Sequence, residues 1–411
     1  MRKQVNILSA IMIAVLCGFS LFSKLNINAF IVCGVCVAYA FAILVINKGK
    51  LIVNKTLLIW FCVTLLMFIY LYLTTKKINV YYFLFLSLVL FAVAITTVWD
   101  KIDVKMMMTV MTVFSSILIV TAVMEKVFGL RIFGSGKLSN GLAQHANLVS
   151  LATIVVFIYA LWMMEASKPI YKYLLLFVAV VGILVAGERS NLLLIPLAVI
   201  VVYYLYGKKN KAFKVVRILI IVGVAIFLFF ALRDILSQYR VFGRVYETID
   251  SYLAGDSMSI GRDRMRDSAM DAWLRKPIFG NGVFYFFYNN KGILDYGKFT
   301  HAHNFILETL CDCGIVGLVI ILIPISIPLI QNFKLVKKPI TPNSGVYKFT
   351  LAFQIYFLLD SLFHVTFYST YMISFYFICI ALFYVKKSQD NEDQELYYVT
   401  EEAEEESYDQ D

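Results

Sequence analysis

Charge is scarce in this sequence: Asp, Glu, Lys and Arg make up 16% of its 411 residues, against about 25% in soluble domains. That shortage excludes an ordinary soluble protein. Histidine is rarer still, with four residues at 145, 301, 303 and 364, so any two of them close together need an explanation. Residues 388–411 contain no Lys or Arg but hold 11 of the 27 acidic residues, which leaves the rest of the chain at +21, from 37 basic and 16 acidic residues. No nucleic-acid partner is expected, because what dominates is apolar sequence, at 61%. Twelve membrane spans of about 20 residues would require roughly 240 residues, nearly all of this apolar content.

Apolar runs fall near 5–23, 28–46, 56–74, 79–98, 106–124, 146–164, 171–187, 191–206, 215–232, 304–331, 346–363 and 366–385. The chain therefore reads as an all-α polytopic membrane protein of about twelve transmembrane helices. A long, partly helical external loop separates the ninth helix from the tenth. The expected division is 1–232 for helices one to nine, 233–302 for the loop, 303–387 for helices ten to twelve and 388–411 for an acidic, disordered cytoplasmic tail. The first run, behind Met1-Arg2-Lys3, reads as an uncleaved span. Alternate short loops counted from the N-terminus hold 19 Lys and Arg, whereas the opposite loops hold 7, which puts both termini in the cytoplasm. The seven cysteines all lie in apolar runs and read as small packing residues rather than a disulfide framework. Neither an internal repeat nor the paired broken helices of an inverted-repeat transporter is apparent.

The loop carries ten basic residues against eight acidic ones, and seven of the ten are arginines. A guanidinium fork suits bidentate phosphate recognition, although anionic lipid headgroups or the local carboxylates Asp263, Asp267 and Asp271 would also occupy it. From Ser259 to Pro277 the spacing predicts a capped helix with Arg262 and Arg266 on one face. Its apolar stripe of Met265, Ala269, Ala272 and Trp273 suggests a helix lying on the membrane surface. The turn Phe279-Gly280-Asn281-Gly282 follows, and His301-Ala302-His303-Asn304 opens the tenth span.

Three readings of the two histidines stand side by side. A His-x-His pair with Cys311 and Cys313 would make a metal site, but a helix begun at 303 puts those thiols roughly 12–15 Å deeper. A neutral imidazole would serve as a general base, and a helix cap completed by Asn304 is the structural alternative. Between spans seven and eight, Gly187-Glu188-Arg189-Ser190 places an ionisable pair at a membrane edge, where it either neutralises itself or meets a ligand. His145 and Asn147 open the sixth span in the same sense and either cap it or face the same cavity. Asp360 and His364, four apart in span eleven, support a rival reading as the proton relay of a transporter or flippase.

Taken together, Gly-Glu-Arg-Ser at 187–190, Gly-Arg at 261–262 with Trp273, Pro-Ile-Phe-Gly-Asn-Gly at 277–282 and His-Ala-His-Asn at 301–304 resemble the O-antigen ligase and polymerase superfamily. His303-Asn304, nine residues, Gly314, two residues and Gly317 is similar to its ligase-type signature. The resemblance implies a multi-pass glycosyltransferase of the bacterial cytoplasmic membrane, metal-independent, inverting and in need of no cofactor, with its active site facing outside. An undecaprenyl-diphosphate-linked glycan is the implied donor and a glycan or lipid the acceptor, with membrane lipids around it and a chain-length regulator and a flippase as associates. By position in the motifs, His303 would be the base, Arg189, Arg262 and Arg266 the diphosphate ligands, and His301, Asn304, Glu308 and Glu188 the orienting groups. The Lys- and Ile-rich composition and acidic tail point to a polymerase of capsular, exopolysaccharide or O-antigen repeat units, with a ligase as the alternative.

Overall fold

A computed structural model describes residues 1–25, 27–76, 79–130, 140–143, 145–164, 169–206, 211–254, 260–289, 301–337, 344–369 and 371–408. Side chains at 240–241, 260–262, 344 and 393–408 also lie outside the description. Gly134 to Gly136, Ser259, the Arg262 side chain and several of the counted basic residues, such as Arg131 and Lys208, are thus not placed. The chain is 83% helical, with no strand among the described residues.

The helices in order are α1 (Arg2–Leu21), α2 (Ala29–Ile46), α3 (Lys55–Thr75), α4 (Val80–Thr97), α5 (Val104–Phe128), α6 (Ala146–Trp162), α7 (Pro169–Ala186), α8 (Asn191–Leu205) and α9 (Lys211–Ala231). The loop then folds as α10 (Arg233–Leu236), α11 (Arg240–Leu253), α12 (Ile260–Arg275) and α13 (Tyr285–Asn289). α14 (Phe305–Lys337), α15 (Ser344–Ser361) and α16 (Met372–Tyr408) complete the chain. Eight of these helices are long and apolar enough to cross a membrane, and the apolar α6 and α8 are shorter. The protein is an all-α polytopic membrane protein.

Short polar residues set where the helices begin. Asn28, Asn54 and Asn79 each accept the backbone N–H two residues on at 2.9 Å, and Asp103 accepts from Met106 at 3.0 Å. Each cap satisfies a donor that the first turn leaves without a partner. Aromatic side chains of α3, α4, α15 and α16 fill the core: Trp60 packs against Phe85 and Phe377 at centroid distances of 5.4 and 5.5 Å, and Phe357 stacks on Tyr376 at 4.9 Å. α9 lies at the edge of the bundle and buries only Lys214.

α16 is drawn as helix to Tyr408, and its sequence beyond Lys387 has no Pro or Gly to stop it. One expectation is corrected. The stripe of α12 is not free to lie on lipid: Met265, Ala269 and Ala272 are buried against Phe286, Ala302 and Cys311. The helix is thereby fixed to the head of α14.

Candidate active site at the head of α14

Asn304 caps α14 by accepting the Leu307 N–H at 3.0 Å, so the residues just before it form a turn above the helix. Glu308 lies one turn down and is 1% exposed. It reaches back with one carboxylate oxygen 2.5 Å from Nδ1 of His301 and accepts the Ala302 N–H at 3.0 Å with the other. A buried carboxylate in hydrogen bond with an imidazole fixes the ring's orientation and tautomer. The next residue, His303, has φ +53°, a left-handed conformation that costs a non-glycine residue energy and that clusters at functional sites. The ring of His301 lies 5.4 Å from Phe287 and 6.2 Å from Tyr368 between centroids. Tyr368 in turn shares a 2.9 Å hydrogen bond with Thr309.

The spacing from His303 to Gly317 has a structural explanation. At Gly314 the helix breaks, with φ 65° and ψ −169°, which frees backbone groups on both sides. Freed carbonyls accept from the loop, Cys311 O from the Asn281 N–H at 3.1 Å and Asp312 O from the Gly282 N–H at 2.8 Å. Freed N–H groups donate to it, Ile315 to Pro277 O at 2.9 Å and Val316 to Ile278 O at 3.1 Å. The Pro277–Gly282 motif is thus clamped to the break, with Asn281 Nδ2 adding bonds to Ala272 O and Cys311 O at 2.8 and 3.0 Å. The helix after the break, residues 315–337, is roughly 34 Å long at 1.5 Å per residue, enough to cross a bilayer without the first segment.

Asp312 holds the next turn. Fully buried, it accepts the Phe284 and Phe286 N–H groups at 2.9 and 3.0 Å, one on each oxygen. Sequence reasoning passed over it in favour of the flanking cysteines, although a lone carboxylate in an apolar run was the available signal. Asp312→Asn replaces one acceptor oxygen with an amide donor facing an N–H. It is expected to cost about 1–3 kcal/mol of stability, read as a lower unfolding midpoint in detergent.

The Gly187–Ser190 turn forms a second cluster. Glu188 accepts from Asn191 Nδ2 at 2.6 Å and from the Ser150 hydroxyl at 3.3 Å, so it neither simply neutralises Arg189 nor faces solvent alone. Arg189 donates to Thr248 Oγ1 and, at 3.4 Å, to Arg244 O, while Arg244 donates to Gly187 O at 3.5 Å. α11 therefore sits on this turn and brings Arg244, not singled out from sequence, beside Arg189. Ser190 Oγ lies 3.4 Å from Nε2 of His364, whose Nδ1 is 2.7 Å from Asp360. The pair read from sequence as a proton relay is buried and touches this turn through His364.

Residues 360–368 bridge the clusters, holding Ser190 through His364 and stacking on His301 through Tyr368. α12, packed on the head of α14 through Met265, Ala269 and Ala272, carries half-buried Arg266. Among the described residues, its buried Nε has no acceptor. Among those residues the structure joins neither exposed His145 nor Asn147 to the site by a hydrogen bond. Ser150, one turn on from them, does reach it. Cys311 and Cys313 are buried in packing, and no three His, Cys, Asp or Glu side chains converge as a metal site among the described residues.

A family model described as O-antigen ligase matches residues 174–322, from within α7 to beyond the break in α14, and so takes in the Gly187–Ser190 turn, the Pro277–Gly282 motif, the turn at 301–304 and Gly314. Residues 174–322 are thus similar to an O-antigen ligase domain. The match supports a place in the superfamily of O-antigen ligases and polymerases, whose members are glycosyltransferase-like and which implies a lipid-linked glycan donor and an acceptor in the membrane. No curated protein matches the chain. Together with the apolar helices, the match to the O-antigen ligase family indicates a multi-pass bacterial membrane protein.

Proposed function

We propose that this protein polymerises undecaprenyl-diphosphate-linked oligosaccharide repeat units of a capsular, extracellular or O-antigen polysaccharide on the outer face of the cytoplasmic membrane. In this reading both termini are cytoplasmic and residues 233–302 with the head of α14 form the external catalytic surface. The observation that carries it is the turn at 301–304. There His303 is held left-handed beside the buried Glu308–His301 pair, while Arg266 of the packed α12 offers a buried Nε donor without an acceptor among the described residues.

In the proposed reaction an acceptor hydroxyl attacks the anomeric carbon of the donor. A new carbon–oxygen bond forms while the bond to the carrier diphosphate breaks, which inverts the centre. His303 takes the hydroxyl proton, and the leaving diphosphate gains the electron pair. Arg189, Arg262 and Arg266 meet charge that grows in the transition state, where fixed donors act most strongly. These guanidinium groups supply the cationic partner, so the reaction is proposed to be metal-independent.

The spacing that favours a ligase serves here to dock Pro277–Gly282 on α14, a task independent of the acceptor. The Lys- and Ile-rich composition and acidic tail then favour the polymerase. Membrane vesicles supplied with carrier-linked repeat unit should yield a ladder of carrier-linked chains. Transfer of single units only to an added lipid or protein acceptor would instead establish the ligase, and proton-driven uptake without transfer the transporter. In the same assay Arg266→Lys is expected to lower kcat/KM by about 10²-fold through loss of the rigid fork, and unchanged kinetics would remove Arg266 from the diphosphate site.

A further inference from the structure

At the end of the bundle that carries both termini, some cations have carboxylate partners: Lys101 lies 3.6 Å from Asp100 and Lys386 2.5 Å from Asp390. The corner between α8, α9 and the start of α15 is different. From Asn191 to Leu232 and from Lys334 to Leu359 the sequence has no Asp or Glu. Lys214 and Lys348 are nevertheless each only 9% exposed there. The ammonium of Lys348 lies 3.3 Å from the Tyr206 ring centroid, and that of Lys214 approaches the same ring at 6.0 Å. The two charges are thus within about one Debye length of each other, and burial weakens the screening further.

What surrounds them solvates but does not neutralise. Lys214 donates to Tyr206 O and, at 3.4 Å, to Tyr203 O, while Arg217 donates to the Tyr203 hydroxyl at 3.1 Å. Carbonyls and rings carry no net charge. Both lysines also lie within the first two turns of their helices, the end at which the helix dipole favours an anion and opposes a cation. Two buried lysines and the exposed Arg217 beside them, without a carboxylate among the described residues, leave the corner short of one anion. The exposed apolar surface of α9, including Phe213, Leu219 and Ile220, runs away from it along the bundle.

We propose that this corner binds the headgroup phosphate of an anionic phospholipid, with the acyl chains lying along α9. Buried basic pockets between transmembrane helices suit such headgroups, and the apolar face beside this one favours a lipid over free phosphate. The test uses delipidated full-length protein in neutral detergent, with unfolding midpoints recorded after adding phosphatidylglycerol, phosphatidylcholine or inorganic phosphate. Phosphatidylglycerol should raise the midpoint by several degrees and the other two should not. The shift should persist in Lys348→Arg and in the exposed control Lys50→Gln, and be lost in Lys348→Gln and Lys214→Gln. Arg217→Gln, at an exposed side chain, should fold normally and show a reduced shift. An undiminished shift in Lys348→Gln, or none in the wild type, would overturn the site; inorganic phosphate matching the lipid would overturn the lipid assignment.

Discussion

Replacement of His303 by Ala is expected to lower glycan transfer by about 10²–10⁴-fold, the range a positioned general base contributes, while donor binding and folding are retained. The expectation rests on the turn that Glu308 closes. Its carboxylate holds His301 and the Ala302 N–H, and this forces the following residue into the left-handed conformation recorded at φ +53°. Such a conformation persists only where the surroundings determine it. The Ala variant removes the imidazole but keeps the cap at Asn304 and the clamp at Glu308, so its loss should appear in kcat rather than in donor affinity. His301→Ala serves as the contrast. It removes the ring that Glu308 orients and should reduce transfer by a smaller factor. If His301→Ala proves the more damaging, the proton acceptor is His301 paired to Glu308, and His303 is a strained spacer.

The second large effect is expected from Gly314→Ala, far from any reacting atom. A Cβ at this position would lie 2.2 Å from Ile278 O and 2.6 Å from Gly280 N. The φ of +65° is in addition one that alanine adopts only at a cost. The loop cannot stay where it is. Either the Pro277–Gly282 segment leaves α14 or the helix closes its break, and in both cases the four main-chain bonds at 277–282 are lost together. Transfer should fall to background, and a protease site within residues 277–288 should open in folded, membrane-inserted protein. Gly280→Ala, whose Cβ would meet Asp312 O at 2.4 Å, should reproduce the phenotype from the other side of the same contact. Wild-type activity in both variants would show that the clamp is dispensable.

Much of this architecture was legible in the sequence because the membrane imposes a simple rule. Each expected apolar run coincides with a helix, since a backbone in lipid must satisfy its own hydrogen bonds. The motifs at 187–190, 277–282 and 301–304 were also legible as a set. What the sequence did not reveal is how they touch. Gly314 stands out in the sequence only by its spacing from His303, and it takes the positive φ at that point to turn it into a docking port for a segment more than thirty residues earlier. Asp360 and His364 share a helix face by their spacing, but spacing cannot show that the imidazole reaches Ser190 on another element. The apolar stripe of α12 was recognised correctly and its partner was not, because the same pattern serves a bilayer and a protein surface. Asp312 was missed because its neighbours, two cysteines, drew the metal question instead.

The central claim is that the carrier diphosphate is held at the loop-bearing end, between the Arg189 turn and the head of α14. An experimental structure with a non-cleavable polyprenyl diphosphonate bound tests it most directly. The account predicts its phosphorus-bound oxygens within about 4 Å of the Arg189 and Arg266 guanidinium groups, the usual limit for an ion pair, with His303 on the far side of the anomeric position. A diphosphonate bound at the other end of the bundle, or at the loop end away from both arginines, would contradict it.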